Sequence, residues 1–418
     1  MRFGAAIAAV GGALCLLASP SLAQTVTDPT APATPPPAPK DNSPPSSFTF
    51  TGAYTVDLLG NLGGGQASGA RYIDLLKLSA AYDGALAGRQ GLTGLISIEH
   101  SNGASVSGEL VGASQAVSSI EASPEPFRLY EAWIQKEILG GAGGVKAGLI
   151  DLNTTFDVQE TAALFLNSSD GEGPELSDTG LNGPSIFPTP AVAVTAFWRP
   201  AEGWTAQAGL FDGVAGDPNH RGRFVAILIS PSDGALIIAQ VERRFGDAAR
   251  IEAGAWTYTS SSFAALDQLS PSGAPKAIGG DAGLYGLIEG QLAAKPRHGD
   301  GGLSGWLRVG LANGDINRIA NYLGAGLVYT GPIAGRDKDQ VGVAINRAGF
   351  GAGARAAAMR AGVPLAGAET TFEATYRYAV KDWLNVQPDL QYVIHPGGNL
   401  ALGDALVVGV RLAFTASR

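Results

Sequence analysis

The whole chain contains one cysteine, Cys15. Downstream of it there can be no disulfide, no thiolate metal site and no thiol nucleophile. Charge is sparse too: Lys, Arg, Asp and Glu make up 16% of 418 residues, against roughly a quarter in ordinary soluble domains. Beyond residue 23 no apolar run approaches the ~20 residues that a membrane-crossing helix needs, which excludes a helical membrane protein. The net charge is −9 without clustered Lys or Arg, so the chain offers no nucleic-acid surface. Catalytic patterns are missing as well. The four histidines lie in unrelated contexts, and no serine sits in a Gly-x-Ser-x-Gly elbow. Glu172 and Glu175 are three residues apart in one loop, whereas glycosidase pairs come from separate elements. The acidic run Asp170, Glu172, Glu175 and Asp178 lacks the alternating pattern of a calcium loop. Gly351-x-Gly353-x-x-Ala356 stands without the alternating strands and helices of a dinucleotide fold. Neither an enzyme nor a bound metal or cofactor is expected.

The 59 glycines and 25 prolines divide the chain into short segments. Residues 1–23 carry the marks of a secretory signal: Arg2, an uncharged stretch from Phe3 to Ala18, and Ser21-Leu22-Ala23 as a small-x-small cleavage site. Residues 24–47, with Pro35-Pro36-Pro37, form a Pro-rich stretch that cannot bury a core and is expected to be a disordered linker.

From Phe48 onward the polarity alternates with period two. Phe48, Phe50, Tyr54, Val56 and Leu58 oppose Thr49, Thr51, Thr55 and Asp57. Near the other end Phe372, Ala374, Tyr376 and Tyr378 oppose Glu373, Thr375 and Arg377, and Leu384, Val386, Pro388, Leu390 and Tyr392 oppose Asn385, Gln387, Asp389 and Gln391. A last strand alternates from Leu406 to Phe414, with Arg411 on its polar parity. Thirteen further runs read as strands: 71–82, 92–100, 127–138, 145–150, 192–198, 204–211, 224–229, 235–241, 250–258, 284–292, 304–311, 322–329 and 341–345. About sixteen strands are expected, an even number suiting a bacterial barrel over residues 48–418.

The polar parity holds Thr, Asn, Gln, Ser and Gly, as a water-filled lumen would, where the outer face of a soluble sandwich carries Lys and Glu. Phe48, Tyr82, Trp198, Trp204, Tyr258, Tyr329, Tyr378, Trp383 and Tyr392 fall near segment ends, where interfacial girdles sit. Residues 200–203 and 245–247 read as short turns on one side. Residues 167–189, 260–283 and 346–370 read as long loops, outside or folded into the lumen, with a helical turn at 356–359. The fold class is thus all-β, a transmembrane antiparallel barrel.

Several segments are familiar in their order. Gly148-Leu149-Ile150-Asp151-Leu152-Asn153 precedes Phe165-Leu166-Asn167-Ser168-Ser169, then Gly183-Pro184-Ser185-Ile186-Phe187-Pro188 and Gly209-Leu210-Phe211-Asp212-Gly213. Val386-Gln387-Pro388-Asp389-Leu390-Gln391-Tyr392 runs on to His395-Pro396-Gly397-Gly398 and is the most specific stretch. Together they resemble the carbohydrate-selective porin (OprB-type) family over most of residues 48–414. The resemblance implies a sixteen-stranded outer-membrane barrel of the bacterial cell, with inward-folded loops, that passes sugars and other small hydrophilic solutes by diffusion. Its expected partners are those solutes, outer-membrane lipids and the barrel-assembly machinery. One departure is the ending: such barrels commonly stop at an aromatic residue, whereas Thr415-Ala416-Ser417-Arg418 follow Phe414. The competing reading is a secreted or surface β-protein that binds glycans without a pore.

A sugar is neutral and covered with hydroxyls, so its passage calls for paired donors and acceptors along the wall. The inward candidates are Asp151, Asn153, Glu373, Arg377, Asn385, Gln387, Asp389, Gln391 and Arg411. Asp170, Glu172, Glu175 and Asp178 mark a candidate constriction loop.

Overall fold

The computed structural model describes residues 46–122, 125–260, 263–294 and 301–418. The expected leader at 1–23 lies outside these residues, as does the expected linker except for Ser46 and Ser47.

Sixteen antiparallel strands close into one ring. In chain order the first nine are β1 Phe48–Gly65, β2 Gly69–Asp83, β3 Leu92–Gly103, β4 Glu125–Ile138, β5 Gly143–Ile150, β6 Ala191–Trp198, β7 Trp204–Asp212, β8 Ala235–Phe245 and β9 Ala249–Tyr258. A separate hairpin follows, β10 Phe263–Leu269 with β11 Pro275–Ile278. The ring resumes with β12 Asp281–Ala294, β13 Gly302–Ala312, β14 Ile319–Thr330, β15 Gln340–Phe350, β16 Ala368–Lys381, β17 Leu384–Ile394 and β18 Gly403–Ser417. Each strand pairs with its sequence neighbours, β9 pairs with β12, and β18 closes on β1. A closed ring leaves no unpaired edge, so every ladder bond is made within the wall. Two sheets stacked around a dry interior, as a secreted sandwich needs, are not present among the described residues.

The usual burial rule is inverted in this wall. Ile96, Ile134 and Leu210 are 56%, 55% and 52% exposed on the outside, while Asp57, Glu373 and Gln391 are 0%, 2% and 0% exposed inside. Alternate side chains on a strand face opposite sides, and here the apolar set faces out. Aromatic clusters mark the rim that carries both barrel ends: Phe48 with Phe50 and Tyr82, Trp383 with Phe414, and Arg243 over Trp204 and Phe245. Tyr258 departs from the girdle expectation. It points inward, fully buried, and its hydroxyl lies 3.4 Å from Thr179 Oγ1.

The turns at 200–203 and 246–248 lie at the same rim, which we call the turn rim. The opposite, loop rim carries the long connections. Residues 224–229 do not form a strand, contrary to the sequence reading. β5 stops level with Ala132, leaving the edge of β4 open above it, and Leu129 N donates to Phe224 O at 2.8 Å across the gap. The run Phe224-Val225-Ala226-Ile227-Leu228-Ile229 is apolar without alternation, a pattern that periodicity cannot assign to a strand with certainty. Within 346–370, β15 continues to Phe350, and α2 spans Ala352–Arg360. The helix is longer than a single turn because Ala352 to Arg360 is dominated by the strongest helix former, alanine. The tail after Phe414 belongs to the wall: Ser417 pairs with Thr51, and Arg418 N donates to Phe50 O at 2.9 Å.

Candidate functional site

Two loop-rim connections fold into the barrel, and the inward polar side chains of one half of the wall grip them. Residues 104–122 lie against β1 and β16–β18. Glu369 accepts from Ser114 N and Gln115 N, both at 2.7 Å, Ser118 Oγ donates to Asp57 Oδ2 at 2.6 Å, and Gln391 Nε2 donates to Val117 O at 2.8 Å. Residues 151–190 cross to β12–β17. Glu289 accepts from Glu160 N and Thr161 N, and Glu373 accepts from Leu166 N at 2.6 Å and Asn167 N at 3.0 Å. Gln387 Nε2 donates to Leu164 O at 2.7 Å, and Tyr322 OH to Ser169 O at 3.0 Å. A carboxylate that receives two successive backbone N–H groups makes charge-assisted bonds, the stronger class. This wall therefore fixes the course of the loops.

The deepest anchor is Arg308 on β13. It donates to both oxygens of Asp157, at 2.8 and 2.6 Å, and to both oxygens of Glu175, at 3.0 and 2.7 Å. The rings of Tyr285 and Tyr322 flank it. Gly173 and Gly310 make room for this cluster, since a Cβ at either would collide with Arg308 or Glu175. Glu175 lies in α1, Pro174–Ser177.

The residues expected to line the lumen divide accordingly. Glu373, Gln387 and Gln391 point inward but lie beneath the loop. Asp389 accepts from Gln391 Nε2 at 3.0 Å beside them. Arg411 forks onto Asp57 at 2.8 and 2.7 Å, near Ser118 and Ser119. Arg377 donates to Gln340 nearer the turn rim, where Asn385 also faces inward. Asn153 braces the inserted loop, donating to Asp157 O at 3.2 Å and Gly171 O at 3.1 Å. Of the acidic run, Asp170 accepts from Asn346 at 2.8 Å and Glu175 is bound by Arg308. Glu172 is buried with no partner for either carboxylate oxygen, and Asp178 is exposed.

The inserted loop also packs on the loop-rim half of β4–β9, through Phe156 against Phe211 and through Pro188 O on Arg128. The uncovered part of the wall is the turn-rim half of β2–β7, which the sequence reading did not single out for strand site residues. Lys77 on β2 stands 3.2 Å from Glu99 and 3.8 Å from Glu131, and 4.9 Å above the Tyr130 ring. Tyr130 OH donates to Asp151 Oδ2 at 2.5 Å, and Trp133 Nε1 to Glu131 Oε1 at 3.2 Å. Lys146 Nζ lies 4.7 Å above the Trp133 ring. The available signal was charge inside otherwise apolar strands: Lys77 between Leu76 and Leu78, and Glu131 within 127–138.

Toward the turn rim the barrel holds a cavity of about 700 Å³, lined on one side by Glu160, Glu242, Arg250 and Glu252. Arg250 there donates to Glu289 at 2.7 Å and to Glu242 at 2.8 Å, and Arg244 to Glu242 at 2.9 Å. A recess of about 200 Å³ adjoins it beside Lys146, Thr195 and Phe197, the two sharing Thr155, Arg199, Thr205 and Gln207.

The inserted loop carries perturbed carboxyls. Burial, reinforced by Glu131, raises Asp151 to about 6 against the opposing bonds from Tyr130 and Asn153 N. Burial holds Glu172 well above the ordinary range, and Asp157 and Asp151 push it the same way. Burial also raises Asp170. At Glu160 burial is outweighed by Arg244 and Arg250, and the carboxyl is lowered. Among the described residues, no three His, Asp or Glu side chains converge to hold a metal ion.

The profile of the carbohydrate-selective porin (OprB) family matches residues 67–415. The chain is 24% identical to Porin B of Pseudomonas aeruginosa over 407 residues, 87% of each chain. Its fold is similar to that of Pseudomonas putida OprB in a high-pH structure. That similarity has a TM-score of 0.78 at 22% identity and covers 88% of this chain and 94% of the other. For the low-pH structure of the same protein the TM-score is 0.55 at 19% identity, covering 88% and 93%.

Proposed function

Because this chain belongs to the carbohydrate-selective porin (OprB) family, a passive outer-membrane channel for carbohydrates and small hydrophilic solutes, we propose that its solutes pass along the wall formed by β2–β7. The observation that carries this reading is the asymmetry of the lumen: β12–β18 are occupied by the two inserted loops, whereas Lys77, Trp133 and Lys146, toward the turn rim of β2–β5, remain partly exposed. Trp133 offers an apolar ring for the C–H face of a sugar. Around it, Lys77 supplies donors, Gln135 and Gln207 supply donors and acceptors, and Asp151 sits where strand gives way to loop, the mixture that hydroxyls require. In this reading Asn153, Glu373, Gln387, Asp389, Gln391 and Arg411 hold the loops that set the bore. Arg377 and Asn385 face the lumen nearer the turn rim.

We also infer that lipid chains cover the exposed apolar band, that the short turns face the periplasm, and that the barrel-assembly machinery inserts the chain after the leader is removed. The test is reconstitution of the purified protein in planar bilayers and in liposomes. Stepwise conductance and swelling in glucose are expected. A sealed bilayer and unswollen liposomes would overturn the channel reading for this chain.

A further inference from the structure

The recess beside Lys146 differs from the rest of the lumen in its charge. Lys77, Arg250, Arg308 and Arg411 each lie against carboxylates. Among the described residues Lys146 and Arg199 make no such ion pair, although Glu131 and Asp151 act on Lys146 at longer range. Lys146 Nζ donates to Thr155 Oγ1 at 3.2 Å and otherwise meets the Trp133 ring. Arg199 stacks 4.4 Å from the Phe197 ring and donates to Gly141 O at 3.1 Å. No carboxylate lines the recess. Its remaining polar groups are neutral, among them Gln135, Thr195 and Gln207.

We propose that this recess is a subsite for a sugar acid, a polyhydroxylated monocarboxylate such as a hexonate or hexuronate, with its carboxylate held between Lys146 and Arg199. This rests on the channel reading above and deepens it by naming a solute class.

Three features support it. The cations are held in place before any solute arrives: Phe197 lies across Gly144, where a Cβ would collide with the ring, and this ring carries the Arg199 guanidinium. A planar guanidinium fixed in this way matches a carboxylate with two parallel donors. The hydroxyls and amides of the recess can each donate and accept, which suits a chain of hydroxyls and gives a plain fatty acid nothing to bond. Across the larger cavity, Glu160, Glu242 and Glu252 form the opposite wall together with Arg244 and Arg250, to which they are paired. An anion is thus drawn to β5–β6, where the cations have no ion-pair partner, rather than to β8–β9, where Arg244 and Arg250 are already paired, while a neutral sugar feels no such pull.

The experiment compares gluconate with hexanoate, a six-carbon carboxylate without hydroxyls, and with glucose. It uses the purified full-length protein in liposome swelling and in ion-current block across planar bilayers. Wild-type protein should take gluconate, and be blocked by it, at concentrations roughly tenfold below those needed for hexanoate, the scale of one to two net hydrogen bonds. In the Lys146→Gln/Arg199→Gln double variant the gluconate-to-glucose swelling ratio should fall by a similar factor. Equal action of gluconate and hexanoate on wild-type protein would overturn the subsite without any variant being needed, as would an unchanged ratio in a folded double variant. Absence of conductance in the wild type would instead defeat the channel reading on which the subsite rests.

Discussion

Arg308 and Asp157 form a two-bond fork, 2.8 and 2.6 Å long, between a barrel strand and the loop that crosses the lumen, and both side chains are fully buried. Removing one member of a buried pair leaves the other charge without a counterion, at a cost of about 3–5 kcal/mol. Arg308→Met is therefore expected to loosen the Asp157 and Glu175 parts of the inserted loop from the wall rather than unfold the ring, whose ladders are independent of the fork. Glu289, Glu373 and Gln387 still hold residues 160–167. Single-channel conductance should rise, and glucose and disaccharide should pass at more nearly equal rates. Bilayer recordings and swelling rates check this. Unaltered conductance together with an unaltered disaccharide rate would show that the fork does not set the bore.

Trp133 and Lys146 make the aromatic and cationic part of the uncovered wall, with Lys146 4.7 Å above the ring. Trp133→Ala removes the ring from the conduit and the acceptor Glu131 loses its indole donor. Aromatic face contacts are worth about 0.5–1.5 kcal/mol, so the concentration of glucose that half-blocks ion current should rise by about twofold to twelvefold. Titrating the block with glucose measures it. The same half-block in the variant would remove Trp133 from the solute path.

Asp151 titrates at about 6, raised first by burial and then by Glu131. Lys77, Glu99, Glu131 and Lys146 are charged groups around it. As pH rises through 6, Asp151 gains a negative charge at the junction of strand and loop, so the channel should become more cation-selective between about pH 5 and 7. The reversal potential in a salt gradient reports the change. In Asp151→Asn the step near pH 6 should shrink, and a step of full size in that variant would assign it to another group.

The sixteen-stranded ring was legible because a barrel wall has lipid on one side and polar contents on the other, so each strand alternates. Residues 224–229 misled because hydrophobicity without alternation does not reveal whether a neighbouring strand exists, and here β5 ends too early to supply one. The inward orientation of Glu373, Gln387, Asp389, Gln391 and Arg411 followed from parity alone. Parity says which face a residue occupies but not what covers that face, and the loop backbone that Glu373 and Gln387 bind lies more than two hundred positions away in the chain. The insertion of residues 104–122 was not legible in the sequence because several of its anchors are backbone groups, Ser114 N, Gln115 N and Val117 O, and the side chain that joins them, Ser118, is small and common in loops. Lys77 and Lys146 could have been noticed as isolated charges within strands, yet how far the inserted loop covers them, reaching Lys146 only through Thr155, is a property of the assembled barrel.

Glu172 provides the sharpest test of how the inserted loop is held. Its carboxylate is buried, neither oxygen has a partner, and burial together with Asp157 and Asp151 keeps its pKa well above the ordinary carboxyl range. Such a group binds its proton more tightly folded than unfolded. Its contribution is harmless below the ordinary carboxyl value, and stability is lost as pH rises from there through the raised value. Glu172→Gln keeps the shape and removes the ionisable proton. At pH 4 the two proteins should resist heat equally, and at pH 8 the variant should unfold at the higher temperature by several degrees, consistent with one to a few kcal/mol. Heat-induced mobility shifts on gels across that pH range follow the transition. Parallel pH curves for the two proteins would mean that Glu172 meets water or a counterion in solution, and that the inserted loop is less dry than its packing against Arg308 and Tyr258 requires.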